Sequence, residues 1–351
     1  MDRDQAGAAV SLQLHPPLPP MEALSVDKVP AGGCWQYEPK WDGFRCLVFR
    51  DDDKIELQSK SGRMLTRYFP ELVEAVRATR AKRFVLDAEI VLPQGDAFSF
   101  DALLQRIHPA SSRVRRLSQE TPAQLIVFDL LAGSNGQSLV GEPLRERRRK
   151  LEAFAARYFG NGCIQLSPAT TKLSEAKGWL KRVGATLDGI IAKRIDLDYR
   201  SGERTGMQKI KNFRSADCVV GGFRYNEGKR EVGSLLLGLY DADGLLHHVG
   251  FTSSIASHEK KALTAKLEKL IAEPGFTGNK PGGPSRWSTA RSADWQPLKP
   301  KLVAEVRYDH FTGERFRHGT KFLRWRPDKR PLQCTMAQVK QKKADLTKLL
   351  Q

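Results

Sequence analysis

The sequence predicts an α+β protein of two domains, a mixed α/β domain followed by a small antiparallel β-barrel. Three observations predict it. Up to Lys211, short runs rich in β-branched and aromatic residues alternate with amphipathic helical stretches. Beyond Lys211 the runs are mostly strand-like and are separated by Gly, Asp and Asn turns. The 351 residues are enough for two domains that each bury a core.

Taken in order, the elements begin with His15-Pro16-Pro17-Leu18-Pro19-Pro20-Met21, which must be extended because proline fixes its own torsion and denies helix to its predecessor. Residues 1–30 therefore read as a strap packed on the first domain, residues 31–213. That domain is expected to hold strands at 44–49, 84–92, 124–131 and 190–193 and helices at 70–78 and 145–158. In the second domain, residues 214–351, strands are expected at 217–225, 234–240, 246–252 and 302–308. Leu263, Leu267, Leu270 and Ile271 recur at helical spacing, so residues 258–272 should form one amphipathic helix capping the barrel. Five to six strands with one inserted helix is the pattern of an OB-fold. Residues 275–300, rich in Gly, Pro, Ser and Trp, read as a long loop. Thr335-Met336-Ala337-Gln338 reads as a capping box opening a C-terminal helix. No internal repeat is visible.

Fifty-eight Lys and Arg against 40 Asp and Glu leave a formal charge of +18, which points to a polyanionic partner, nucleic acid above all. The five cysteines, Cys34, Cys46, Cys163, Cys218 and Cys334, lie far apart without a C-x-x-C pair, so neither a zinc site nor a disulfide framework is expected. A reducing cytoplasm fits this usage. The N-terminus has no apolar signal-peptide core, and Ser234-Leu235-Leu236-Leu237-Gly238-Leu239-Tyr240 is too short to span a bilayer, so no membrane association is expected.

The stretch that carries chemistry is Glu38-Pro39-Lys40-Trp41-Asp42-Gly43-Phe44-Arg45, a K-x-D-G-x-R run. A lysine amine can attack phosphorus, Gly43 would let backbone approach a nucleotide, and Arg45 offers a rigid fork of donors for ribose or phosphate. Six further runs follow it in order. They are Ser59-Lys60-Ser61-Gly62-Arg63, Leu86-Asp87-Ala88-Glu89-Ile90-Val91, Val127-Phe128-Asp129-Leu130-Leu131, Asp188-Gly189-Ile190-Ile191-Ala192-Lys193-Arg194, Gln208-Lys209-Ile210-Lys211 and Arg324-Trp325-Arg326-Pro327-Asp328-Lys329. Set in this order over nearly the whole chain, they resemble the motifs of ATP-dependent polynucleotide ligases in the covalent nucleotidyltransferase superfamily. The compact bacterial type called ligase C, related to the ligase domain of ligase D, is the group the chain looks most like.

The resemblance implies a nucleotidyltransferase (adenylation) domain followed by an OB-fold domain, and nick or break sealing in DNA repair through a lysyl-AMP intermediate. It implies Lys40, Lys209 and Lys211 as catalytic residues. A nucleotide site would be made by Glu38, Arg45, Lys60, Glu89, Phe128, Lys193, Arg324, Arg326 and Lys329, with Glu89 and Asp188 on the metal side. ATP and Mg²⁺ or Mn²⁺ are the implied cofactors. Nicked or broken duplex DNA is the implied partner, with a repair polymerase or end-joining proteins beside it, and the protein is expected to be a monomer. An ordinary lysine, with pKa about 10.4, is protonated at neutral pH, so Lys209 and Lys211, on one face of a strand, are expected to lower that of Lys40.

Three departures from the usual ligase pattern stand out: Lys60 and Ser61 in place of Arg and Asn, Ala88 in place of Gly, and Asp188 in place of Glu. A lysine cannot make the bidentate contact of an arginine, and the shorter carboxylate retracts by one methylene. The last motif lies in the barrel, so two domains are expected to close on the nucleotide. An RNA ligase, a capping-type guanylyltransferase and a catalytically dead nucleic-acid binding protein are the other readings. The intact Lys40, Glu89, Lys209 and Lys211 argue against the last.

Overall fold

The computed structural model describes residues 11–160, 162–183, 187–282, 294–340, 345–346 and 349–350. The chain divides into two compact units, one of Met1–Asn212 with Lys342–Gln351 and one of Phe213–Gln341. Helix and strand are mixed in the first unit and strands dominate the second, so the fold is α+β.

Two sheets build the first unit. The larger runs in the order Lys54–Ser59, Phe44–Asp51, Arg83–Val91, Gln124–Ala132 and Ile164–Leu166, antiparallel except for its last pair. Side chains alternate across its strands, as the pleat requires. Val48, Leu57, Leu86 and Val127 pack with Leu72 and Val76 of the helix Pro70–Ala78 and with Leu151 and Phe154 of Leu144–Tyr158. Leu47, Phe49, Val85 and Leu131 fill the opposite face with Leu12, Met21, Tyr199 and Met207. The smaller sheet has the order Leu24–Ser25, Met207–Lys211, Gly189–Arg194, Trp35–Pro39. Its outer face, with Tyr37, Ile190, Ala192 and Ile210, packs on Ala176 and Trp179 of the helix Leu173–Val183. Leu12 and Met21 are buried strap residues, and Leu24–Ser25 is a strap strand pairing in parallel with Met207–Lys211.

In the second unit, strands Leu246–Thr252, Lys229–Tyr240, Arg214–Asn226, Val303–Tyr308 and Lys321–Trp325 pair antiparallel in that order. A parallel bridge between Thr252 and Thr320 brings the two ends together, which closes the five strands as an OB-fold barrel.

The inserted helix is shorter than its periodicity predicts. It begins as a 3₁₀ turn, Ser257–Glu259, and runs as α-helix only over Lys260–Glu268. Ile271 and Ala272 leave it because other backbone partners compete: Ile271 bridges Leu298, and the Ala272 N–H donates to the Pro297 carbonyl. Of the expected loop at 275–300, residues 283–293 lie outside the described residues, and Gln296–Pro297 is a short strand on Arg214–Asn226. The expected C-terminal helix is, among the described residues, one 3₁₀ turn, Met336–Gln338, whose Thr335 makes no side-chain cap hydrogen bond. Leu346, Leu349 and Leu350 belong to the first unit, where they join its apolar clusters, and the Leu346 N–H donates to the Asp96 carbonyl. The chain's end thus returns to the domain that the sequence reading closed at residue 213.

Candidate active site

Lys40 follows the strand Trp35–Pro39, and its N–H donates to the Gly189 carbonyl at 2.9 Å, which seats it beside Asp188. The Lys40 ammonium is ion-paired with the Asp188 carboxylate. Burial is the largest cause holding the Lys40 pKa below its ordinary value, Lys211 and Lys209 push the same way, and Glu89 and Asp42 oppose them.

Lys40 opens into a cleft of about 800 Å³, whose walls include Glu38, Trp41, Arg45, Lys60, Glu89, Phe128, Lys193 and Lys209. Pro20, Met21, Glu22 and Ala23 of the strap complete it. Every nucleotide-site residue that the sequence places in the first unit therefore lines one cavity. Lys211 and Asp188 are not among the lining residues, and they reach the cleft through their charge on Lys40 and their ion pair with it.

Glu38 is 2 % exposed and pairs with Lys193 at 2.8 Å, while Gln36 Nε2 donates to its other oxygen at 2.8 Å. Lys193 Nζ also lies 4.5 Å from the centroid of the Phe128 ring, and the Arg45 guanidinium lies 4.7 Å from it. Phe128, expected in the nucleotide site, thus carries two cations on its ring. Glu89, opposite Arg45 in the sheet register, is raised to about 7, chiefly by burial, although Arg45 and Lys40 lower it. Among the described residues no hydrogen bond or ion pair reaches its carboxylate. Lys60, exposed, pairs with Glu22 at 3.2 Å.

Gly43 is required by the fold itself: a Cβ there would lie 2.1 Å from the Ile90 carbonyl oxygen, so glycine is needed for the chain to pass the neighbouring strand. Arg45 is not a free fork. Its Nε and Nη2 donate to the two oxygens of Asp87, both at 2.6 Å, and Nη2 also reaches the Met21 carbonyl at 3.3 Å. Burial disfavours this cation, but Asp87 more than compensates and raises its pKa.

The sequence reading missed Asp87, although it was legible: Asp87 and Glu89 sit two residues apart in one strand, hence on one face. In the barrel, Arg326 donates to Asp217 at 2.9 Å and to Asp328 at 2.7 Å, Lys329 pairs with Asp217 at 2.6 Å, and Arg324 pairs with Glu305 at 2.7 Å. Asp217, buried and also missed, organises that run.

The family described as ATP dependent DNA ligase domain matches residues 20–211, and the ATP dependent DNA ligase C terminal region matches residues 228–329. DNA ligase C2 of Mycolicibacterium smegmatis is 44% identical over 346 residues, covering 94% of this chain and 96% of that one. The multifunctional non-homologous end joining DNA repair protein LigD of Mycobacterium tuberculosis is 31% identical over 301 residues, 85% of this chain and 37% of that protein. A solved Lig E DNA ligase, 15% identical, shares the fold with a TM-score of 0.54 over 87% of this chain and 100% of that chain. With a lysine held below its ordinary pKa at the wall of a cation-lined cleft, and with both halves of the chain matched, the chain belongs to the ATP-dependent DNA ligase family.

Proposed function

We propose that the cleft binds ATP and that Lys40 Nζ attacks the α-phosphorus, forming an N–P bond as the bond to the departing pyrophosphate oxygen breaks. The amine must first lose a proton, and Asp188, paired to it, accepts that proton. AMP then passes from Lys40 to the 5′-phosphate at a nick in duplex DNA, and the 3′-hydroxyl displaces AMP to seal the strand. The observation that carries this reading is the place of Lys40, paired with Asp188, on the wall of a cavity also lined by Lys193, Lys209 and Arg45. Lys209 and Lys211 hold the α-phosphate oxygens and oppose their developing charge, and Glu38 and Phe128 take the nucleoside. Lys60 serves ribose or phosphate.

Glu89, a half-buried carboxylate that no hydrogen bond or ion pair reaches among the described residues, and Asp188 are hard oxygen donors of the kind Mg²⁺ and Mn²⁺ take. Such an ion would neutralise phosphate charge when bound. Arg324, Arg326 and Lys329 serve the departing pyrophosphate. The chain works as a cytoplasmic monomer beside a repair polymerase or end-joining proteins, a context the likeness to LigD supports. Among the described residues, no helix is long and apolar enough to cross a membrane.

Incubation with α-labelled ATP followed by a nicked duplex tests the reading. Label should move from protein to DNA to free AMP. Lys40→Ala should remove labelling while its circular dichroism stays that of the parent, and persistent labelling of that variant would overturn the assignment.

A further inference from the structure

The strap meets the cleft through a set of hydrogen bonds that the family motifs do not account for. Asp87, fully buried, accepts from Arg45 and, at 2.6 Å, from the Tyr199 hydroxyl. Both donors then turn to one strap residue: the Met21 N–H donates to the Tyr199 oxygen at 3.0 Å, and the Met21 carbonyl accepts from Arg45. The N–H and C=O of a single strap residue are thus satisfied by two side chains keyed to one carboxylate. The next residue, Glu22, holds Lys60 at 3.2 Å and Arg204 at 3.1 Å, so the strap also fixes where one cleft ammonium rests.

We infer that strap residues 20–23 form a wall of the nucleotide site and that Tyr199 is the positioning residue that fastens this wall to the Asp87–Arg45 pair. This rests on the cleft being the ATP site. Other ties hold the strap along its length: Leu18 exchanges two hydrogen bonds with Gln58, and the Glu22 N–H donates to the Glu203 carbonyl at 2.7 Å. Loss of the Tyr199 hydroxyl therefore loosens the wall at Met21 without releasing the strap.

Hydrogen exchange on the intact protein, with and without α,β-methylene-ATP, which cannot give up AMP, tests the inference. The nucleotide should slow exchange severalfold both in the peptide holding Lys40 and Trp41 and in the peptide holding Met21 to Ala23. Protection of the first without the second overturns the wall while leaving the ATP site standing. Protection of neither overturns the site itself. Tyr199→Phe should accelerate exchange at Met21 and raise KM for ATP in the adenylation step about fivefold, the worth of one hydrogen bond, with kcat within about twofold. A fall in kcat with KM unchanged would mean that Tyr199 serves only the fold.

Discussion

Glu89 is held in the cleft by the Arg83–Val91 strand, and burial raises its carboxyl from an ordinary 4.5 to about 7. A carboxyl raised in the folded state favours folding most below pH 4.5, and that contribution is lost as pH rises through about 7, where the fold must carry a poorly solvated charge. Glu89→Gln, which never ionises, should therefore match the parent near pH 4 and exceed it by about 2 kcal/mol above pH 8 in metal-free, nucleotide-free protein. Urea melts across this range would read the difference, and parallel curves would show that Glu89 is not penalised by its site. The stability gained would accompany lost activity, as expected where a functional carboxylate is kept in a costly place. Lys40 was legible from its K-x-D-G-x-R run, and Glu89 and Asp188 because a carboxylate inside an otherwise apolar run needs an explanation. Arg45 was misread because its partner, Asp87, lies 42 residues away, and no local spacing reveals which carboxylate an arginine will find.

At the scale of elements, Lys40 and Glu89 are brought together by the pairing of Phe44–Asp51 with Arg83–Val91, in which Phe44 lies opposite Ile90 and Arg45 opposite Glu89. Gly43 permits that approach. A methyl at this position would press on the Ile90 carbonyl and on Glu89 Cγ, 2.9 Å away, and backbone cannot swing aside as a flexible side chain can. Gly43→Ala should cost about 2–3 kcal/mol in denaturant melts and should lower Lys40 adduct formation at temperatures where the variant is still folded. Unchanged stability would mean that the two strands have slack at this point. The strands of the first unit were legible from their apolar runs, and Pro70–Ala78 from its proline start and its amphipathic spacing. The end of the inserted helix was not, because Ile271 and Ala272 continue the helical pattern but find strand partners in Pro297 and Leu298. Tertiary hydrogen bonding outweighs periodicity there.

Across the whole molecule the order of the motifs could be read in one pass, whereas the closure of the barrel could not, since the bridge between Thr252 and Thr320 joins residues with no shared pattern. The same holds for the barrel's basic run, whose charges looked free in sequence and are organised by Asp217 and Glu305. That organisation allows the run's chemical role to be separated from its structural one. Arg326 donates to both oxygens of Asp217, so Asp217 stays compensated when Lys329 is removed. Lys329→Ala should then cost the barrel no more than about 1 kcal/mol, as for other partly exposed ion pairs. If the run serves the departing pyrophosphate, Lys329 is needed only while pyrophosphate leaves, because later steps have none to stabilise. Adduct formation at Lys40 should fall on the order of tenfold or more, while sealing of a nick supplied already adenylated should stay within about twofold of the parent. Lys211→Ala, which removes a charge felt by Lys40 itself, should harm both assays. Equal losses in both assays for Lys329→Ala would assign the run to gripping DNA, and the proposed division of labour between the two units would have to be given up.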